Sequence, residues 1–198
     1  MLEICLLGTG AMMPLPDRKL AALLVRRNGR LLLVDCGEGT QVAVRQSGWS
    51  LARIDTICLT HYHADHVAGL PGLLLTMGAC GRTEAVTLVG PAGLAAVIRC
   101  LRVIAPELPF ALRFEELAAP LCDVAFQDVQ VACFALEHSV PCYGYRLSLS
   151  RPGRFDAVRA KALRHPRWFS RRDPSREPLA ARMLRMTQTS MYKGGGGP

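Results

Sequence analysis

Residues 61–66 read His61-Tyr62-His63-Ala64-Asp65-His66, three imidazoles and a carboxylate within six positions. The chain holds five histidines in all, so this crowding marks a donor set, not a packed core. Imidazole nitrogen and carboxylate oxygen are donors that divalent zinc accepts, and no thiolate stands among them. Structural zinc usually recruits cysteine and closes its coordination, whereas nitrogen and oxygen sites tend to be catalytic. A solvated, histidine-rich loop is the bland competing reading, and the density of histidine argues against it.

The flanks place this donor set in a fold. Ile54-Asp55-Thr56-Ile57-Cys58-Leu59 is apolar and rich in β-branched residues, the pattern of a buried strand, and Thr60 ends it. Val67 to Met77 reads as a helix, with Pro71 acceptable only in its first turn. Ligands on a strand-to-helix loop stand where α/β sheets place their sites.

Working outward, Leu31-Leu-Leu-Val-Asp35 is a continuous apolar run suited to a strand buried on both faces. Phe110, Leu112 and Phe114 alternate as in a half-buried strand, and Val129 to Leu136 is a further strand that delivers His138 near its end. Tyr143, Tyr145, Leu147 and Leu149 share one face of another strand. This alternation favours core packing for the two tyrosines over stacking on bases. Pro91 to Ala105 puts Leu94, Val97, Ile98, Leu101 and Ile104 at helical spacing, with Pro91 in the first turn. Strands interleaved with a few helices, without internal repeats, predict an α/β architecture.

Length and composition fit one domain: 198 residues, half of them apolar. No apolar stretch approaches the roughly 20 residues of a membrane-spanning helix, so no membrane partner is expected. Glu3 and a glycine turn stand where a signal peptide would carry basic residues and an apolar run. The eight cysteines include no C-x-x-C pair, and several lie in expected strands as small hydrophobes. A reducing, cytoplasmic setting is the expectation.

Charge divides the chain unevenly. Residues 1–150 hold 12 Lys and Arg against 13 Asp and Glu, a net −1. Residues 151–198 hold 12 against 3, a net +9, which accounts for the chain's +8. That last quarter carries five prolines and ends in Lys193-Gly-Gly-Gly-Gly-Pro198. Such composition buries too little apolar surface to fold. Residues 157–198 are therefore expected as a basic tail that is disordered or foreign to the fold, ahead of an RNA-binding arm.

His-x-His-x-Asp-His after an apolar strand resembles the signature of the metallo-β-lactamase superfamily. Four further stretches resemble ribonuclease Z, its tRNA 3′-processing branch. They are Leu7-Gly-Thr-Gly-Ala11, Asp35-Cys-Gly-Glu-Gly-Thr-Gln41, Gly69-Leu-Pro-Gly-Leu-Leu74 and His138-Ser-Val-Pro-Cys-Tyr-Gly-Tyr-Arg-Leu147. All five stand in the family's order, from the N-terminus to about Asp156.

The resemblance implies a metallo-β-lactamase αβ/βα sandwich over residues 1–156. It implies an endoribonuclease that removes the 3′ trailer from precursor tRNA through a metal-activated water, and that works as a homodimer. By resemblance His61, His63 and His138 hold one zinc, while Asp65 and His66 hold the other. Asp65 is the expected proton acceptor as well as a ligand. Asp35 is expected to orient a ligand histidine from behind, with a turn or helix-capping role as the alternative. Arg18 resembles an arginine near the family's active site; a solvated surface position is the alternative.

The likeness fades within a dozen residues of Asp156. In the family the following stretch supplies a bridging aspartate, a distal histidine ligand and a further histidine. Asp156, Asp173 and His165 lack the surroundings for these roles. The expectation is therefore a sandwich incomplete in its second half and one zinc where the family holds two. Two alternatives stand beside the nuclease: another hydrolase of the same fold, and an incomplete, inactive relative with a partial metal site.

Overall fold

The computed structural model describes residues 1–150; the expected basic tail, 157–198, with His165 and Asp173, and also Asp156, lie outside the described residues. Six strands form the larger sheet in the order β1 (Leu2–Gly8), β2 (Ala22–Arg27), β3 (Arg30–Val34), β4 (Ile54–Cys58), β5 (Val86–Pro91) and β6 (Leu112–Leu117). β1 to β3 meander antiparallel, and β3 to β6 run parallel. Asn28 and Gly29 join β2 to β3 with φ of 51° and 76°, the left-handed pair that a two-residue hairpin turn requires. A smaller antiparallel sheet follows, β7 (Leu121–Phe126), β8 (Val129–Leu136) and β9 (Cys142–Ser148).

Alternation along the central strands sends neighbours to opposite faces. Leu24, Leu31, Leu33, Ile57 and Leu88 join one core, and Val25, Leu32, Cys58 and Val89 join the other. The first core is closed by α1 (Thr40–Gln46), α3 (Leu70–Ala79) and α4 (Leu94–Leu101), through Val44, Leu70, Leu73, Leu74, Met77, Leu94 and Ile98. The second is closed by the smaller sheet, through Val124, Phe126, Val129, Val131, Cys133 and Tyr143. β3 is thus buried on both faces, as its unbroken apolar run implies. All eight cysteines are free, and Cys36, Cys58 and Cys133 are buried.

Four expectations need correction. The helix read from Val67 is two helices: α2 (Ala64–Val67) ends before Gly69, and α3 begins at Leu70 with Pro71 in its first turn. Pro91 is the last residue of β5, not the start of a helix. Ile104 belongs to a 3-10 turn and is 78% exposed, since α4 ends at Leu101. The strand expected from Phe110 starts at Leu112, and Phe110 packs into the first core from the preceding loop.

Parallel β3, β4 and β5 bring their C-terminal ends to one rim of the larger sheet. Asp35 leaves β3 there, and residues 60–66 leave β4. This rim holds the site.

Candidate metal centre

Asp35 turns the chain at the end of β3 with φ 58°, a left-handed conformation that aspartate tolerates better than most residues. Its backbone N–H donates to Cys58 O at 2.8 Å, which holds the turn against β4. The carboxylate is buried, 6% exposed. Its Oδ1 accepts from the Thr60 backbone N–H at 2.8 Å, both oxygens lie 3.0 Å from Thr60 Oγ1, and Oδ2 lies 2.8 Å from His66 Nδ1. Thr60 Oγ1 is in turn 2.9 Å from His61 Nδ1. The donor loop therefore hangs on one aspartate and one threonine.

The imidazoles converge. His61 Nε2 and His63 Nδ1 stand 3.1 Å apart, and one nitrogen from each of His61, His63 and His138 lies within 4.8 Å of the others. A tetrahedral zinc with bonds of about 2.0–2.1 Å spaces its ligand nitrogens roughly 3.3 Å apart. The donor set matches an ion in type and, after a small inward movement, in spacing. Asp65, buried, and His66 sit beside the triad, with His66 Nε2 3.5 Å from Asp65 Oδ2. The rings of His61 and His66 lie 4.1 Å apart between centroids.

His138 comes from the connection between β8 and β9. Tyr143 N–H donates to Thr60 O at 2.9 Å, and Tyr145 O–H donates to Leu59 O at 2.7 Å. These bonds dock the smaller sheet on the donor loop. Both tyrosines pack in the second core, as their alternation implies. From the other side, Tyr62 O–H donates to Pro91 O at the end of β5. Tyr62 is therefore an anchor, half-buried against the first core, and this burial, joined by the charge of Glu116, pushes its hydroxyl well above the ordinary phenol range.

Two glycines let backbone touch backbone beneath the donors. A Cβ on Gly69 would stand 2.1 Å from Gly37 O, and one on Gly37 would stand 2.6 Å from Asp65 O. Cys36 N–H donates to His66 O at 2.7 Å, and Gly69 N–H donates to Cys36 O at 2.9 Å. The Asp35-Cys36-Gly37 turn thus lies directly on α2.

Electrostatics differ along the site. Burial, joined by the neighbouring His66 and His63, holds the His61 imidazole below its ordinary pKa, which keeps it neutral as a ligand must be. Burial pulls His66 down too, but the Asp35 hydrogen bond and the charges of Asp35 and Asp65 outweigh it, and the net shift is upward. In the metal-free state a proton is held more firmly at His66 than at His61.

All six residues singled out from the sequence, Asp35, His61, His63, Asp65, His66 and His138, meet at this rim. Asp35 is not a helix cap: Gly39 occupies that position before α1. Arg18 is exposed and donates to Thr9. Thr60, Tyr62, Gly37 and Gly69 are the contributors that sequence reasoning passed over. Thr60 carried a signal, since a hydroxyl between a strand end and a ligand is placed to orient it.

Residues 2–102 match the family model described as Anti-Pycsar protein Apyc1. The chain is 56% identical over 155 residues to the ribonuclease Z of Lachnoclostridium phytofermentans, covering 78% of this chain and 51% of that protein. It is 54% identical over 166 residues to the ribonuclease Z of Lachnospira eligens, covering 84% and 55%. The chain spans about half the length of the curated relatives it matches. Among solved structures, human tRNase Z, short form, aligns with a TM-score of 0.65 at 31% identity, over 75% of this chain and 64% of that one. The metallo-β-lactamase fold protein YhfI from Bacillus subtilis aligns with a TM-score of 0.61 at 18% identity, over 74% and 57%, a likeness of fold alone. With this fold, these motifs and these relatives, the chain belongs to the family that the Apyc1 model describes and, within the metallo-β-lactamase fold, to the ribonuclease Z family.

Proposed function

We propose that the chain is a zinc-dependent endoribonuclease that removes the 3′ trailer from precursor tRNA by hydrolysis. The observation that carries this reading is the meeting of His61, His63 and His138 within 4.8 Å in a chain whose curated relatives are named ribonuclease Z. These three histidines hold one zinc ion. Asp65 and His66 serve a second position, to which these two side chains, the donors for it among the described residues, give weak affinity. A zinc ion bound here supplies a Lewis acid that stabilises charge on phosphoryl oxygens and makes water acidic near neutral pH. Asp65, buried next to the triad, accepts the proton of the attacking water at its carboxylate. Asp35 keeps His66 aligned through Nδ1.

The same reading takes residues 1–156 as the metallo-β-lactamase-like domain, the chain as a homodimer and the cytoplasm as its place of work. Among the described residues no helix is long and apolar enough to cross a membrane. It also takes one zinc as firmly held, because the triad is the one group of three close ligand side chains among the described residues.

The deciding experiment is cleavage of a precursor tRNA bearing a 3′ trailer, with zinc added and Asp65→Ala as control. Trailer removal by the parent chain and not by the variant supports the reading. A folded parent chain that leaves the trailer intact overturns it. That second outcome favours a relative that binds metal without cleaving tRNA.

A further inference from the structure

We propose that the Thr60 hydroxyl is a positioning group that fixes which nitrogen of His61 is free to bind metal; this rests on the metal reading of the site. The argument is a count of protons. Thr60 Oγ1 carries one hydrogen and has a carboxylate on one side, 3.0 Å from each Asp35 oxygen, and the His61 ring on the other, 2.9 Å from Nδ1. A carboxylate only accepts hydrogen bonds, so the hydroxyl gives its hydrogen to Asp35. The remaining bond closes only if His61 Nδ1 bears a hydrogen and donates it to Oγ1. His61 is then the Nδ1–H tautomer, and its lone pair lies on Nε2, the nitrogen that faces His63 Nδ1 at 3.1 Å.

Asp35 does the same for His66 directly, accepting from Nδ1 at 2.8 Å. One buried carboxylate thus sets two histidines, the nearer through its own oxygen and the other through a threonine relay. Thr60 is well placed for this, because its backbone is bound at both ends. Its N–H donates to Asp35 Oδ1 at 2.8 Å, and its carbonyl accepts from Tyr143 N–H at 2.9 Å. The hydroxyl itself is held toward His61 by its contacts of 3.0 Å with both Asp35 oxygens.

The test uses the full chain, with zinc as the only probe. Thr60→Val keeps the shape of the side chain and removes the hydroxyl, while Thr60→Ser keeps the hydroxyl and removes the methyl. Zinc affinity, measured by competition with a chromophoric chelator, is expected to fall about 10–100-fold in Thr60→Val and to return to within about threefold of the parent in Thr60→Ser. Long-range proton–nitrogen NMR of the zinc-free parent at pH 8 is expected to show His61 protonated at Nδ1. Unchanged affinity in Thr60→Val overturns the proposal, as does a Thr60→Ser chain as weak as Thr60→Val, which would make the methyl the operative group. A parent His61 protonated at Nε2 also overturns it, and that measurement needs no variant to fold. A parent chain that binds no zinc sinks the metal reading instead, and the tautomer still decides for Thr60.

Discussion

Replacing Gly69 by alanine sets two physical effects against each other, and the structure says which wins. Gly69 has φ −77° and ψ −12°, an ordinary helical conformation, so alanine fits its backbone without strain. Restricting the unfolded chain alone favours the substitution by about 0.4–1 kcal/mol. The added Cβ, however, would stand 2.1 Å from Gly37 O, where ordinary contact begins at 3.4 Å. The carbonyl must therefore retreat by about 1.3 Å (3.4 less 2.1), and being backbone it cannot swing aside as a side chain would. Overpacking of this kind costs about 1–3 kcal/mol. The retreat also strains two hydrogen bonds, Gly69 N–H to Cys36 O and Cys36 N–H to His66 O, each contributing about 0.5–1.5 kcal/mol. The net expectation is a loss of about 3 kcal/mol after the entropic gain. Gly72→Ala is the control, because its Cβ meets only the far end of Gln41, 2.8 Å from Nε2, and Gln41 Oε1 has no hydrogen-bond partner among the described residues. It should stay within about 1 kcal/mol of the parent chain. Urea unfolding in the presence of a chelator, which removes any metal contribution, measures both. A Gly69→Ala chain as stable as the parent would refute the reasoning.

Three further expectations follow from named contacts. Asp35→Asn keeps an acceptor for the Thr60 N–H but turns an amide donor toward His66 Nδ1, so zinc affinity should fall about 10–100-fold; a chelator competition that finds parent affinity removes Asp35 from its orienting role. Arg82, 3% exposed, donates to Ala52 O, Glu84 O, Ala85 O and Asp55 Oδ1. Arg82→Ala should cost about 2–4 kcal/mol in urea unfolding, because three backbone carbonyls lose their donor while Asp55 keeps its pair with Arg30, and a loss under 1 kcal/mol would contradict this. Burial pushes the Cys133 thiol up from 9.0 to about 11, and burial raises Cys36 and Cys58 as well. Below pH 9 these thiols are protonated in both folded and unfolded chains. As pH rises through 9 toward 11 only the unfolded thiols ionise, so stability falls across that window. A urea midpoint that is flat from pH 8 to 10.5 would count against this burial.

The legibility of the sequence followed the nature of each signal. Period-two alternation exposed β9, because Tyr143, Tyr145 and Leu147 pack against the second core on one face. The run Leu31–Val34 betrayed a strand with two buried faces. The histidine cluster disclosed the donors, since donor chemistry is carried by residue type. What escaped was relational. Nothing in Gly37 or Gly69 alone says that two backbones touch there, and Pro91 reads as a helix starter until β5 is seen to need it. Thr60 looks like punctuation at a strand end until Asp35, 25 positions earlier, is brought within 3.0 Å of it.

The docking of β9 on the donor loop has a consequence for the order of events as the chain is made. His66 is in place 72 residues before His138 is synthesised (138 less 66). Until the β8–β9 hairpin settles on the rim, held by Tyr143 to Thr60 and Tyr145 to Leu59, the triad is one imidazole short. Closing so long a loop is entropically slow compared with forming the hairpin itself. Tight metal capture therefore reports the moment the two sheets join, and a nascent chain stalled before His138 should release its ion freely.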